Sequence, residues 1–264
     1  MSESHAAPAA TLPWRSAAVT GASSGIGAAL ARALAVPGRV LHLAGRDPGR
    51  LAAVATACRA AGAEVREATF DVRDAAACEA WIDGAGRLDL VVANAGTSAG
   101  TGDGRESPAQ VREVFAVNLD GALNVMLPAI EAMRAQGPGT DGVRGRVAGI
   151  ASIAAFLASP GAPAYCASKA ALQRWIEASE PVLRREGVRL HAVCPGFVRT
   201  PMTARNRFPM PFLMEAEEAA RRTLAGIAAG RVRIVFPRAT YAAARAAGLV
   251  PVGWLGGMPA KAAR

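Results

Sequence analysis

Ser16-Ala17-Ala18-Val19-Thr20-Gly21-Ala22-Ser23-Ser24-Gly25-Ile26-Gly27 sets a short apolar run directly ahead of glycines spaced G-x-x-x-G-x-G, and Ala/Leu-rich sequence of helical character follows to Ala35. A strand that turns through glycines into a helix brings backbone amides together at a helix N-terminus, where a pyrophosphate can be received. Leu30 stands where the last glycine of G-x-G-x-x-G would fall, so the spacing is a variant of that fingerprint. Chance clustering among 28 glycines is the alternative, and the strand before and helix after argue against it.

Working outward, β-rich runs recur near Val40 to Ala44, Val65 to Phe70, Leu88 to Ala93, Arg146 to Ile150, Leu190 to Cys194 and Arg233 to Phe236. Helical stretches alternate with them at about 25–35, 48–61, 74–84, 108–134, 164–186 and 215–229. Regular βα alternation predicts an α/β fold, a doubly wound, mostly parallel sheet of seven strands with helices on both faces. A chain of 264 residues is compatible with one such domain, expected over 16–238, with a loose tail at 1–15 and an extension at 239–264. Thr97 to Gly104 and Gly137 to Gly145 read as surface loops within it, and no internal repeat of fixed period is present.

Composition narrows the class. With 52% hydrophobic and 19% charged residues and a mean hydropathy of +0.21, the chain is too apolar for disorder, and no uncharged apolar run of about 18 residues marks a membrane span. The first fifteen residues lack a secretory pattern, and Cys58, Cys78, Cys166 and Cys194 lack metal or redox spacing, so a cytoplasmic protein with reduced thiols is expected. The net charge of +9 is lopsided, because residues 199–264 hold eleven Lys/Arg against three Asp/Glu, leaving nineteen against eighteen elsewhere. That excess lacks a nucleic-acid-binding motif or an aromatic stacking platform, so no nucleic-acid partner is expected. Around it lie Phe236, Tyr241, Leu249, Val250, Val252, Trp254, Leu255 and Met258, which fit a subunit contact or weak contact with an anionic membrane surface.

Tyr165 and Lys169 are four residues apart in helical sequence and share one face. The chain holds only two lysines and two tyrosines, so lysine is retained here where arginine has otherwise displaced it. A phenol with pKa near 10 works at neutral pH only if its surroundings favour phenolate, and a neighbouring ammonium does so. Ser152, just after the fifth strand, can hold a substrate oxygen while Tyr165 exchanges its proton. Arg46 follows the second strand, where a carboxylate often binds ribose hydroxyls, and favours a 2′-phosphate unless it is simply a solvated helix-start residue. Asp71 and Val72 end the third strand, as adenine contacts or with Asp71 as a helix cap.

In their order these motifs resemble the short-chain dehydrogenase/reductase family over nearly the whole chain: Thr20 to Gly27, Asn94-Ala95-Gly96, Asn118, Ser152, Tyr165 with Lys169, and Pro195-Gly196-Phe197-Val198-Arg199-Thr200. The resemblance implies a Rossmann fold and hydride transfer between nicotinamide and a carbonyl or secondary alcohol. It implies Tyr165 as acid/base, Lys169 tuning it and holding the nicotinamide ribose, Ser152 orienting substrate, and Asn118 positioning a proton-relay water. Gly21, Ser23, Ser24, Gly25, Ile26 and Gly27 would hold pyrophosphate. Asn94 to Gly96 would floor the cofactor, and Pro195, Gly196, Val198 and Thr200 would meet the carboxamide end. NADP(H) is expected over NAD(H) from Arg46, and a homodimer or homotetramer from the resemblance alone. Met202, Phe208, Met210, Phe212, Leu213 and Met214 suggest an apolar lid over a medium or large carbonyl substrate, or a segment that packs on the core. The different-class alternative is a cofactor-binding sensor or partner subunit without turnover.

Overall fold

The computed structural model describes residues 12–98, 105–206 and 208–250. Seven parallel strands form one sheet in the order β3-β2-β1-β4-β5-β6-β7. They are β1 Ser16–Thr20, β2 Val40–Gly45, β3 Glu64–Thr69, β4 Leu90–Ala93, β5 Gly145–Ile150, β6 Val188–Pro195 and β7 Arg233–Phe236. The helices are α1 Gly25–Leu34, α2 Pro48–Ala60, α3 Ala75–Asp83, α4 Pro108–Phe115, α5 Gly121–Ala135, α6 Pro163–Arg185, α7 Ala216–Ala228 and α8 Arg238–Ala247.

Alternation along the central strands divides the core. Ala17 and Val19 of β1 face a layer that holds Leu30 and Leu34 of α1, Leu51 of α2 and Leu224 and Ile227 of α7. Ala18 faces the opposite layer, with Ile82 of α3, Met126 and Met133 of α5, and Leu172 and Ile176 of α6. Strands buried on both faces read as continuous apolar runs, as β1 and β4 do, whereas edge strand β3 buries only Val65 and exposes charge.

Helix starts follow local chemistry. Asp47 and Asp74 accept amide hydrogen bonds from Arg50 and Ala77, and Ser107 with Gln110 closes a capping box. The single helix expected over 108–134 is instead α4 and α5 joined by a π-helical segment, Ala116–Asp120, in which Gly121 donates back to the Ala116 carbonyl. Together Pro108–Ala135 is long and apolar enough to cross a membrane by length and composition, but half of its most apolar window is buried within the fold. The sequence reading also lacked α8, which follows Pro237 at the start of the basic C-terminal stretch. Leu249 is exposed beyond it, while Val252, Trp254, Leu255 and Met258 lie outside the described residues, as do 1–11 and 99–104 of the expected tail and loop.

Candidate active site

The strand order reverses between β1 and β4, which leaves a cleft at the carboxyl ends of the strands. Its lining includes Gly21, Ser23 to Ile26, Arg46, Asp71, Val72, Asn94 to Gly96, Ser152, Tyr165, Lys169, Pro195, Gly196, Val198 and Thr200. Sequence positions spread over 180 residues are thus brought to one place, and Gly27 and Asn118 stand directly behind this lining.

The glycine turn is shaped by close approach. Gly21 and Gly25 have φ of +63° and +53°, the left-handed region. A Cβ on Gly27 would stand 2.2 Å from the Gly21 carbonyl oxygen and 2.4 Å from Asn94 Nδ2. Asn94 fastens this turn to β4, with Nδ2 donating to the carbonyls of Thr20 at 2.9 Å and Gly21 at 3.3 Å. The Thr20 hydroxyl accepts from the amides of Asn94 and Ala95, a role for Thr20 that the motif spacing alone did not disclose. Ser24 caps α1 without using its side chain, so the first turn of the helix opens into the cleft. This bare, glycine-walled helix start fits a dinucleotide pyrophosphate: it brings amides to the ligand and leaves no side chain in the way.

At the adenosine end, Arg46 has a 63% exposed side chain and lies 3.7 Å from Asp71. Arg50, four residues on, also lines the cleft, a spacing visible in the sequence but not singled out there. Asp71 does not cap a helix; its carboxylate accepts from the Arg73 guanidinium and amide, which holds it below the usual carboxylate range. Asp74 takes the cap.

Asn118 is fully buried on the π-helical segment. Its Oδ1 accepts from the Thr97 amide at 2.8 Å, and its Nδ2 donates to the Thr97 carbonyl at 3.0 Å and Ser168 Oγ at 3.2 Å. Ser168 in turn donates to the Tyr165 carbonyl. Asn118 therefore ties the segment after Gly96 to the helix that carries Tyr165.

Tyr165 and Lys169 lie on α6, one turn apart. Lys169 is 4% exposed, and its ammonium donates to the Ile150 carbonyl at 2.7 Å and stands 5.9 Å from the Tyr165 ring centroid. Burial lowers its pKa to about 8. Burial also raises the Tyr165 phenol above its ordinary value, while a hydrogen bond with Ser152 pulls the other way. Desolvation thus outweighs the charge effect foreseen from the Tyr/Lys spacing. Ser152 Oγ also accepts from the Ala154 amide at 3.1 Å and opens the 3₁₀ turn Ile153–Phe156.

Two further groups escaped sequence reasoning. Glu106 receives the Ala164 amide at 2.9 Å and so caps α6 from 58 residues away, a contact no local pattern announces. Thr203 donates to the Val198 carbonyl at 2.6 Å and accepts from the Thr200 amide, and the Thr200/Thr203 spacing was its only signal.

The family described as short chain dehydrogenase matches residues 15–209. An uncharacterized oxidoreductase of Myxococcus xanthus is 38% identical over 92% of this chain and 95% of its own length. A monensin polyketide synthase putative ketoacyl reductase of Streptomyces virginiae is 37% identical over 73% of this chain and 74% of its own length. Among solved structures, a short chain dehydrogenase/reductase from Burkholderia phymatum in complex with NAD has 29% identity and a TM-score of 0.76, covering 88% of this chain and 92% of that one. One from Sphingobium yanoikuyae in complex with NADPH has 26% identity and a TM-score of 0.76, covering 84% and 88%. The protein accordingly uses a nicotinamide cofactor and is an oxidoreductase acting on CH–OH or C=O groups. With that fold, that cleft and these relatives together, the chain belongs to the short-chain dehydrogenase family.

Proposed function

We propose that the protein reduces a medium or large apolar carbonyl compound with NADPH, using Tyr165 as the proton donor. The observation that carries this reading is the joint placement of Ser152, Tyr165 and Lys169 on the wall of the cleft that the glycine turn opens. NADPH would supply the hydride. Ser152 would hydrogen-bond the carbonyl oxygen, and Tyr165, kept protonated by burial, would deliver its proton to that oxygen as charge develops there. Lys169 would donate to the nicotinamide ribose and bring positive charge near the phenolate left behind. Asn118, whose side chain is fully engaged, would act by holding the π-helical segment and an adjoining relay water in place.

The preference for NADPH rests on Arg46 and Arg50 at the adenosine end. Asp47, the nearby carboxylate, is engaged by Arg50 as the α2 cap, which leaves a guanidinium to meet a 2′-phosphate. Pyrophosphate contacts fall to residues 21–27, adenine contacts to Asp71 and Val72, the floor to Asn94, Ala95 and Gly96, and the carboxamide end to Pro195, Gly196, Val198 and Thr200.

The apolar substrate rests on the segment over the cleft. It leaves the body after Val198 and returns at Met214, where those two residues form a bridge and Arg199 pairs with Glu215. Within it Phe208 and Phe212 are 54% and 62% exposed, more than a segment packed on the core would show. The relative with a ketoacyl reductase description supports a carbonyl on an apolar chain. Assembly as a homodimer or homotetramer is supported by Leu127 and Val182, exposed on α5 and α6, and a cytoplasmic setting by four buried free thiols.

Fluorescence titration with NADPH and NADH, followed by NADPH oxidation against a panel of ketones, tests the reading. Tighter NADPH binding and turnover that favours long-chain or polycyclic ketones over small polar ones is expected. Binding without turnover on any ketone would instead favour a sensor or partner subunit.

A further inference from the structure

Arg233, on the last strand, is outside the motifs and outside the cleft, yet it joins three elements around Ser152 and Tyr165. Its guanidinium donates to Glu177 of α6, with Nη2 to Oε2 at 2.6 Å, and Nη1 donates to the Tyr241 hydroxyl of α8 at 3.1 Å. It also lies over the Phe156 ring at 5.3 Å from the centroid, and Phe156 meets Tyr241 edge-on at 4.9 Å. The pairing with Glu177 holds Arg233 above its ordinary pKa and Glu177 below its own. Gly248 closes the arrangement, since a Cβ there would stand 2.2 Å from the Phe156 carbonyl oxygen.

Phe156 ends the same 3₁₀ turn that Ser152 begins, and Ser152 Oγ is oriented by the Ala154 amide of that turn. Glu177 sits on the helix that carries Tyr165 and Lys169. We infer that the Arg233–Glu177–Phe156–Tyr241 cluster is a positioning device that locks the Ser152 turn to α6, so that the serine and tyrosine hydroxyls keep their mutual hydrogen bond. A planar guanidinium suits this place because it can make a bidentate pair on its edge and stack on a ring with its face, which an ammonium cannot do. The inference rests on the reading of Ser152 and Tyr165 as the working pair and adds to it residues remote from cofactor and substrate.

The test compares wild type with Arg233→Met, Arg233→Lys and Tyr241→Phe for NADPH affinity, thermal unfolding and the pH profile of kcat. Misplacing a reacting group by about 1 Å costs about a hundredfold. Arg233→Met should keep NADPH affinity while kcat falls about ten- to a hundredfold, and the kcat limb governed by Tyr165 should move to higher pH as the Ser152 hydrogen bond loosens. Arg233→Lys should not restore it, and Tyr241→Phe should show the same shift in smaller measure. Folded variants with wild-type kcat and an unmoved pH limb would overturn the inference while leaving the proposed reductase intact. If Arg233→Met fails to fold, Tyr241→Phe decides: a raised limb with retained NADPH binding supports the cluster, and a wild-type profile overturns it. Absence of wild-type turnover would instead bear on the underlying reading.

Discussion

The two ends of the cleft are built by opposite means. At the cofactor end the walls are backbone: Gly27 faces the Gly21 carbonyl with no room for a methyl group, and Asn94 binds two carbonyls of the turn. At the proposed substrate end stands a segment of large, exposed side chains, Phe208 and Phe212 among them, attached to the body through Val198 and Met214. A surface made by backbone tolerates little change and receives a ligand of fixed shape. A surface made by exposed apolar side chains can repack, and it sets which molecule enters rather than what is done to it.

The sharpest attempt to break this contrast is Gly27→Ala. A Cβ 2.2 Å from a carbonyl oxygen forces the turn apart, and with overpacking costs of about 3 kcal/mol or more, NADPH affinity should fall by about a hundredfold or be lost, read by fluorescence titration. Retained affinity would show that the turn yields as the lid does. Arg46→Ala should weaken NADPH binding by about tenfold and leave NADH nearly unchanged, in keeping with the loss of one charged hydrogen-bonding partner. Equal losses for both would remove the 2′-phosphate from the account.

A stability measurement probes the buried pair that joins the two ends. Lys169 has a folded pKa near 8 against an ordinary 10.5, so both states are protonated below about pH 8 and the burial penalty is present in full. Between about pH 8 and 10.5 the folded chain releases the Lys169 proton that the unfolded chain still holds, and the contribution of this group to stability should rise by up to about 3 kcal/mol. The raised Tyr165 acts in the other direction, but only above its ordinary value near 10. Four buried thiols held above their ordinary value of 9.0 act in the other direction from about pH 9, so the Lys169 gain is read as the difference between wild type and Lys169→Met in denaturant unfolding of the cofactor-free protein between about pH 8 and 10. The smallest effect belongs to the lid: Phe208→Ser and Phe212→Ser should raise KM for apolar ketones by about three- to tenfold without altering NADPH affinity, since exposed side chains contribute little to the fold. A change in NADPH affinity of the same size would join the two ends that the contrast separates.

The same division governs what the sequence discloses. The bounds of β1 and β7 are read directly, because apolar runs flanked by turn residues have few alternatives. The glycine turn and the shared helix face of Tyr165 and Lys169 are legible because local spacing carries them, whereas Asn94 stands out only through the order of the motifs. The break of one long helix at Asn118 is not, for it follows from that side chain's bonds to Thr97 and Ser168, 21 and 50 residues away. Neither is the cap that Glu106 places on α6, nor the meeting of Glu177 with Arg233 across 56 residues. Helix α8 escaped for a different reason: its Ala/Arg composition resembled the basic stretch around it, although Pro237 marks its start. The spacing of Tyr165 and Lys169 showed that they share a face, but not that burial would raise the phenol and lower the amine, because desolvation depends on everything packed above them.

The most direct test is single-turnover oxidation of pre-bound NADPH by an apolar ketone in wild type and in Tyr165→Phe, with cofactor affinity measured on both. Removing a general acid costs about 10²- to 10⁴-fold, so the variant should bind NADPH as wild type does and oxidise it slower by that factor. Equal rates in the two proteins would contradict the assignment of proton delivery to Tyr165.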